Sequence, residues 1–207
     1  GLLLAYRGNF EDSKKEIEGA IKIAQELGLK RDEGLAYSYF SIRSVLMSNT
    51  NEALNYSKKA FELADVEHCE RDIIQAKYLL GAAHLMKGDH VEAEKHLTEA
   101  LTRERKTNLV ELEPDILLEF AKLRFKENRK KEALKFAEEA VPIADRCEYR
   151  LKQADIHNFL AEFYLDAGDL EKARKHVEIA KERAECGYKS ALEKAEKVLK
   201  EIEREVK

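Results

Sequence analysis

The chain has 207 residues, of which 38% are charged and 44% hydrophobic, with two prolines and no tryptophan. This composition predicts a folded, helical protein and excludes a disordered chain. The net charge of -4 is too small to favour a nucleic-acid binder. No apolar run approaches the roughly 18–20 residues that span a bilayer, and the first residues lack the flanks of a signal peptide. We therefore expect a cytoplasmic protein without a membrane partner.

Tight turns recur every forty residues along the chain. Each turn pairs a Gly, Ser or Asn with an Asn, Asp or Arg. The turns lie at Gly8-Asn9, Ser48-Asn49, Gly88-Asp89, Asn128-Arg129 and Gly168-Asp169. A fixed period of this length is typical of helical repeat arrays.

The same turn residues predict the helices in chain order. Residues 1–7 are the end of one helix, and a second covers about 10–27. Pairs follow at about 32–47 with 50–67, 71–87 with 90–107, 114–127 with 130–147, and 151–167 with 170–186, and a last helix covers about 188–206. Asn49, Asp89 and Asp169 are predicted N-caps. Pro142 falls inside its helix, where it either kinks the helix or loosens its end.

Small residues recur with the same period. Twelve residues after each turn the chain has only alanine: Ala20, Ala60, Ala100, Ala140 and Ala180. A position held by alanine in every repeat predicts two helix axes that approach too closely for a longer side chain. We expect the alanines from Ala60 onward to be buried at helix crossings.

These columns resemble the tetratricopeptide repeat. Leu80-Gly81 matches the Leu-Gly pair of that family, and Ala93 with Leu97 matches its A-x3-apolar element, from which Ser57 and Ala137 depart. The tryptophan and the closing proline of the family are absent, so the second helix can run longer and the repeat reaches forty residues instead of 34. Such long repeats look like those attached to signal-transduction (STAND-type) NTPases and regulators.

The resemblance implies an all-α fold, a right-handed superhelical solenoid of antiparallel helix pairs. It implies one array along the chain. Its parts are a partial repeat over 1–30, full repeats over about 31–69, 70–109, 110–149 and 150–187, and a C-terminal capping helix over 188–207. Because the first predicted helix is only the end of one, we expect a fragment of a larger regulatory protein.

Residues for catalysis or metal binding do not cluster in the sequence. Cys69, Cys147 and Cys186 are widely spaced, which argues against a disulfide framework and a zinc site. No two histidines have the i, i+4 spacing that presents two ligands on one helical face, and no Gly-rich phosphate loop exists. We expect no enzymatic activity, no metal and no cofactor.

The resemblance implies a protein-interaction scaffold that binds a peptide or partner domain in a concave groove lined by the first helix of each pair. The groove positions of the family correspond here to Tyr39, Ile42, Tyr78, Ala82, Met86, Asp115, Glu119, Lys122, Asp155, Asn158, Glu162 and Asp166. The first five are apolar or aromatic and the others are mostly acidic. The expected partner therefore presents an apolar segment beside Lys or Arg.

Other interpretations stay open at this stage. The array could be a structural or regulatory arm of a larger NTPase with intramolecular contacts, or its basic turn from Lys122 to Lys131 could bind nucleic acid or another anion. Tyr39 and Tyr78 could be half-buried packing residues. The N-terminal edge is also apolar and predicts a homodimer through Leu2, Leu3, Leu4, Ile17 and Ile21.

Overall fold

The computed structural model describes residues 1–205, which form eleven α-helices and no strand. The helices are α1 (Leu2–Tyr6), α2 (Phe10–Glu26), α3 (Lys30–Leu46), α4 (Thr50–Val66), α5 (Glu70–Lys87), α6 (His90–Thr107), α7 (Glu113–Lys126), α8 (Lys130–Arg146), α9 (Arg150–Asp166), α10 (Leu170–Ala184) and α11 (Lys189–Glu205). The all-α prediction is confirmed, and the predicted bounds differ from these by at most two residues. The predicted end of the last helix at 206 lies outside the described residues. None of the helices in the described part is long and apolar enough to cross a bilayer.

A left-handed residue ends each helix from α1 to α10, at a spacing of about twenty residues. The predicted turns supply Gly8, Ser48, Gly88, Asn128 and Gly168, and the turns between them supply Gly28, His68, Asn108, Glu148 and Gly187. In a typical turn the Asn49 N–H donates to the Ser44 carbonyl at 2.8 Å, five residues earlier. This is the Schellman arrangement, which satisfies carbonyls that the helix end leaves unpaired. The structural unit is therefore one helix plus one short turn, used twice per forty residues.

The predicted N-caps are confirmed. The side chains of Asn49, Asp89 and Asp169 each accept a hydrogen bond from the backbone N–H three residues later. Helix α8 continues through Pro142 to Arg146 and has 17 residues, like α2 and α4. Pro142 therefore does not shorten its helix.

The chain forms two compact units, Gly1–Glu119 and Phe120–Lys207. Within the first unit each helix from α1 to α5 packs on the next, and α3 also packs on α5. Within the second unit α8, α9, α10 and α11 pack in succession, and α9 also packs on α11. Because the turns are short, successive helices are antiparallel pairs. The division into repeats within one array stays a prediction.

The alanine column lies at the helix crossings, as predicted. Ala60, Ala100, Ala140 and Ala180 are all buried. Ala20 occupies the same position in α2 and is exposed.

Local packing explains the residues at two positions of the repeat pattern. The Cβ atom of an alanine at position 81 would lie 2.6 Å from the Leu97 side chain, so Gly81 makes room for a large partner. In the preceding repeat the equivalent pair is Ser41 and Ser57, and both hydroxyls donate to the Ala53 carbonyl, at 3.2 and 2.7 Å. The residues that face each other on neighbouring helices are thus matched in size.

A carboxylate replaces alanine at one buried position. Glu104 stands where the other repeats have Ala24, Ala64, Ala144 and Ala184. It is buried, and its Oε1 accepts a hydrogen bond from the Leu112 N–H at 2.9 Å. Glu104 therefore anchors the connection that leads into α7, which is longer than the other connections.

The left-handed turns generate a stability prediction. Glu148 has φ +53°, a conformation that costs a residue with a Cβ about 1–2 kcal/mol but costs glycine little. We expect Glu148→Gly to raise the free energy of unfolding by about 0.5–1 kcal/mol, after the greater freedom of glycine in the unfolded chain is subtracted. Urea unfolding measures this change.

The control is Glu67→Gly, because Glu67 is also exposed but has the right-handed φ of -80°. It should lower stability by about 0.5–1 kcal/mol. Equal effects of the two substitutions would contradict the role assigned to the left-handed position.

Candidate partner-binding surface

Helix α3 presents an apolar surface. After its first turn, every residue of α3 that is not buried is aliphatic or aromatic. These residues are Leu35, Tyr37, Tyr39, Ile42, Val45 and Leu46. The exposed residues of the next helix, α4, are mostly polar: Asn51, Asn55, Lys58, Lys59, Glu62 and Asp65, with Val66 at its end.

Ion pairs tie the first helices of successive pairs together in the first unit. Arg31 Nε donates to Asp72 Oδ2 at 2.9 Å, which joins α3 to α5. Arg71 repeats the link forty residues later and donates through Nη2 to Glu111 Oε1 at 2.8 Å. Burial opposes ionisation of Asp72, but hydrogen bonds from Cys69 and Arg31 hold its pKa below the usual value. The Arg31 contact therefore joins α3 to α5, and the Arg71 contact joins α5 to the connection that leads into α7.

The predicted groove residues of the first unit divide by burial. Tyr39, Ile42, Tyr78, Met86 and Asp115 are partly exposed. Ala82 and Glu119 are buried, so they are accessible to a partner little or not at all. The groove positions of the family predict which face of the helix is involved. They do not predict which residues on that face are accessible and which are covered by a neighbouring side chain.

Tyr39 has the packing role that the sequence left open, and its role in partner binding stays a prediction. It packs against the buried cluster of Ile17, Ala36 and Phe40 and keeps part of its surface exposed. A substitution at Tyr39 would therefore affect packing as well as the surface.

In the second unit, polar groove positions hold helix α11 in place. Tyr188 donates its hydroxyl to Asp155, at 2.9 Å from Oδ2 and 3.1 Å from Oδ1. The buried Asn158 donates through Nδ2 to the Ala191 carbonyl at 3.0 Å. Asp155 and Asn158 thus attach α11 to α9, a role that sequence reasoning missed because the partners lie 33 residues away.

The remaining groove positions of the second unit are accessible. Lys122 is partly exposed, and Glu162 and Asp166 are exposed. Asp166 forms an ion pair with Lys130. Glu162 and Asp166 are therefore the acidic groove positions that this unit offers to a partner.

Carboxylates pair with much of the predicted basic turn. The buried Arg124 contacts Glu127 at 2.8 Å. Arg129 contacts Glu127 at 3.1 Å and Glu132 at 2.7 Å. Neutralised guanidinium groups of this kind do not favour a phosphate backbone as the ligand.

Two histidines that looked unrelated in the sequence meet in the second unit. The Nδ1 atoms of His157 and His176 lie 2.8 Å apart, and Tyr164 stacks on His176 with ring centroids 5.4 Å apart. Burial lowers the pKa of His157 and, together with the neighbouring His157 and lysines, lowers the pKa of His176 to about 4. Both rings are therefore neutral near pH 7. No local pattern in the sequence predicts this pair, because the two residues lie 19 apart on different helices.

Histidines, cysteines and carboxylates do not form a metal site in the described part of the chain. No group of three or more such residues within residues 1–205 is placed to hold a metal ion. Cys69, Cys147 and Cys186 are all free thiols.

Two solved structures share this fold. BtubC (BKLC) from P. vanneervenii has a TM-score of 0.62 and 15% sequence identity, over 96% of this chain and 90% of its own. Aspartyl phosphate phosphatase F from Bacillus subtilis has a TM-score of 0.63 and 13% identity, over 97% of this chain and 59% of its own. No protein-family model and no curated protein sequence matches the chain.

Identities this low show a shared fold alone. Both structures are helical-repeat folds of the tetratricopeptide-like kind. The comparison therefore confirms the helical-repeat architecture, while membership of the tetratricopeptide family and the link to STAND-type NTPases stay predictions.

The histidine pair generates a pH prediction. The folded state keeps His176 neutral down to about pH 4, whereas an unfolded histidine takes up a proton below about pH 6.5. The unfolded state thus binds more protons between these values, and stability falls as the pH is lowered from 6.5 towards 4. The free energy of unfolding should therefore decrease between pH 7 and pH 4. We expect this decrease to be smaller in His176→Phe by on the order of 1–3 kcal/mol, measured by urea unfolding.

Phenylalanine is a suitable replacement, since Phe136 occupies the equivalent position forty residues earlier and stacks on Phe120. The control His68→Asn removes an exposed imidazole from a left-handed position that asparagine also adopts. A pH dependence equal to that of the unsubstituted chain in His176→Phe would show that this imidazole is not the cause.

Proposed function

We propose that this protein is a non-catalytic interaction scaffold that binds a peptide or partner domain on the first helices of its helix pairs. The observation that carries the proposal is the surface of α3. All of its accessible residues after the first turn are aliphatic or aromatic. Tyr78 and Met86 extend this character to the adjacent helix α5. We call the set of Tyr39, Ile42, Tyr78 and Met86 the apolar surface.

The apolar surface suits partner binding for two reasons. Tyrosine and methionine provide large contact areas, adapt to different partners, and in the case of tyrosine also offer a hydroxyl for hydrogen bonding. The ion pair of Arg31 with Asp72 holds α3 against α5, which lowers the entropic cost of ordering this surface when a partner binds.

An accessible acidic position defines the charge of the partner. Asp115 is the accessible acidic groove position of the first unit, which also carries the apolar surface. Opposite charges raise the rate of encounter more than they raise affinity. We therefore propose a cytoplasmic protein or peptide ligand with an apolar segment beside Lys or Arg.

Selection from a displayed library of random peptides tests this proposal. We expect enriched peptides to combine aliphatic or aromatic residues with Lys or Arg. The substitutions Ile42→Ser and Met86→Ser each remove apolar contact area and should weaken the selected peptides by about tenfold, a loss of about 1.4 kcal/mol. Fluorescence anisotropy with a labelled peptide measures the change.

Val91→Ser is the matched control. Val91 is 78% exposed on α6, which is the second helix of its pair and lies outside the apolar surface. Its substitution should therefore leave the affinity unchanged. Selected peptides that bind Ile42→Ser and Met86→Ser as tightly as the unsubstituted chain would refute the assigned surface.

A second proposal concerns self-association through the N-terminal edge. Four apolar residues on or next to α1 and α2 are 45% to 66% exposed: Leu3, Ile23, Leu27 and Leu29. Ile17, which the sequence assigned to this edge, is instead buried against Phe40. Exposed apolar clusters of this kind favour contact between copies of a chain.

Sedimentation velocity over a range of concentrations tests the second proposal. We expect a concentration-dependent homodimer that Ile23→Glu dissociates. Val66→Glu introduces the same charge at a single 68% exposed valine of α4 and should leave the dimer intact. A chain that is monomeric at every concentration would rule out this interface.

A further inference from the structure

A polar cavity of about 550 Å³ lies within the second unit. It is bordered by the end of α8, the start of α9 and the end of α10. Its lining includes Glu148, Arg150, Gln153, His157, Ile179 and Arg183. The volume falls in the range of small-molecule sites, which is about 300–1,000 Å³.

Two buried polar atoms on the cavity lining have no hydrogen-bond partner. Gln153 is only 5% exposed and donates through Nε2 to Asp145 Oδ1 at 2.8 Å, but its Oε1 accepts no hydrogen bond. The Nε–H of Arg183 is also buried and unpaired. Buried polar atoms are nearly always satisfied in native proteins. An acceptor and a donor that are both unsatisfied at one cavity indicate a ligand that supplies the opposite groups.

One earlier repeat has an ion pair at the positions equivalent to two of the lining residues. Eighty residues earlier, Arg103 forms an ion pair with Glu70 at 2.9 Å. The equivalent positions here are Arg183 and Arg150, so a second guanidinium stands in place of the carboxylate. Arg150 donates to the Glu182 carbonyl at 3.2 Å, and among the described residues it forms no ion pair with a carboxylate. Arg183 contacts the carboxylate of its neighbour Glu182 at 3.4 Å.

The same comparison applies to Gln153. The equivalent residues are Glu33, which accepts a hydrogen bond from Gln25 at 2.7 Å, and Glu113, which accepts one from Arg105 at 2.8 Å. In these two repeats a carboxylate is the acceptor of the contact with the preceding helix, whereas the repeat between them has Ile73 at this position. At position 153 the amide is the donor instead, and its oxygen is left without a donor of its own.

We propose that this cavity binds a free α-amino acid. The carboxylate of the ligand accepts hydrogen bonds from the guanidinium groups of Arg150 and Arg183. The ammonium group donates to Oε1 of Gln153, and the carboxylate of Glu148 balances its charge. The aliphatic part of the ligand lies against Ile179.

A zwitterion fits this lining better than a simple anion. The two arginines share the lining with Asp145, Glu148 and Glu182, so an inorganic anion would meet more negative than positive charge. A free amino acid carries a carboxylate and an ammonium group on the same carbon. No α-carbon of a peptide carries both groups, because the peptide bond converts at least one of them to an amide.

Isothermal titration calorimetry of the full chain with the twenty L-amino acids tests the proposal. We expect at least one to bind, and we expect its N-acetyl and carboxamide derivatives each to bind at least about tenfold more weakly, because each loses a charged hydrogen bond. Inorganic phosphate should not bind. Failure of all twenty amino acids, or equal binding of phosphate or of either derivative, would overturn the proposal.

A charge reversal provides the structural test. Arg150→Glu recreates the pairing of Glu70 with Arg103 and places a carboxylate in the first turn of α9, where it is favourable. We expect this variant to raise the melting temperature and to lose amino-acid binding. Arg103→Gln removes the arginine of the first unit that is equivalent to Arg183; it is the control and should keep the dissociation constant unchanged. Binding that persists in Arg150→Glu, or that is lost equally in Arg103→Gln, would show that the cavity is not the site.

Discussion

The close approach of neighbouring helices at small residues is the constraint on which the rest of the structure depends. The column from Ala60 to Ala180 is buried, and the column five residues after each turn is equally so. That second column consists of Ser13, Ala53, Ala93, Ala133 and Ala173. Such contacts recur in register only if every helix has nearly the same length. The left-handed turn at each twenty-residue interval meets this requirement, because it ends each helix at a fixed point.

This regular framework allows single positions to change without changing the fold. Glu104 replaces a buried alanine and caps the segment that leads into α7. Gly81 makes room for Leu97. The same freedom extends to the surface, where every accessible side chain of α3 after its first turn is apolar or aromatic while most exposed side chains of α4 are polar. At the cavity, Arg150 occupies the position that Glu70 has eighty residues earlier. A repeat fold thus keeps its backbone while individual positions acquire binding properties.

The sequence predicts most of the fold and less of the candidate site. Helix bounds follow from glycine, asparagine and aspartate, which prefer turns and caps for local steric and hydrogen-bonding reasons. The turn at Glu148 has no such signal, since the bulky residue is left-handed only because the helices on either side require it. The burial of Ala82 and Asn158 also depends on residues that are distant in the chain. Asn158 bonds to the Ala191 carbonyl, and no local pattern announces that contact.

The stability of a variant with a larger residue in the alanine column tests the central claim most directly. Ala100 is buried at a helix crossing and Ala20 is exposed at the equivalent position of α2. Overpacking predicts that Ala100→Leu lowers the free energy of unfolding by about 1–3 kcal/mol, while Ala20→Leu changes it by less than about 0.5 kcal/mol. Urea unfolding of the two variants provides the comparison. An unchanged stability of Ala100→Leu, or an equal loss in both variants, would contradict close helix approach as the basis of this fold.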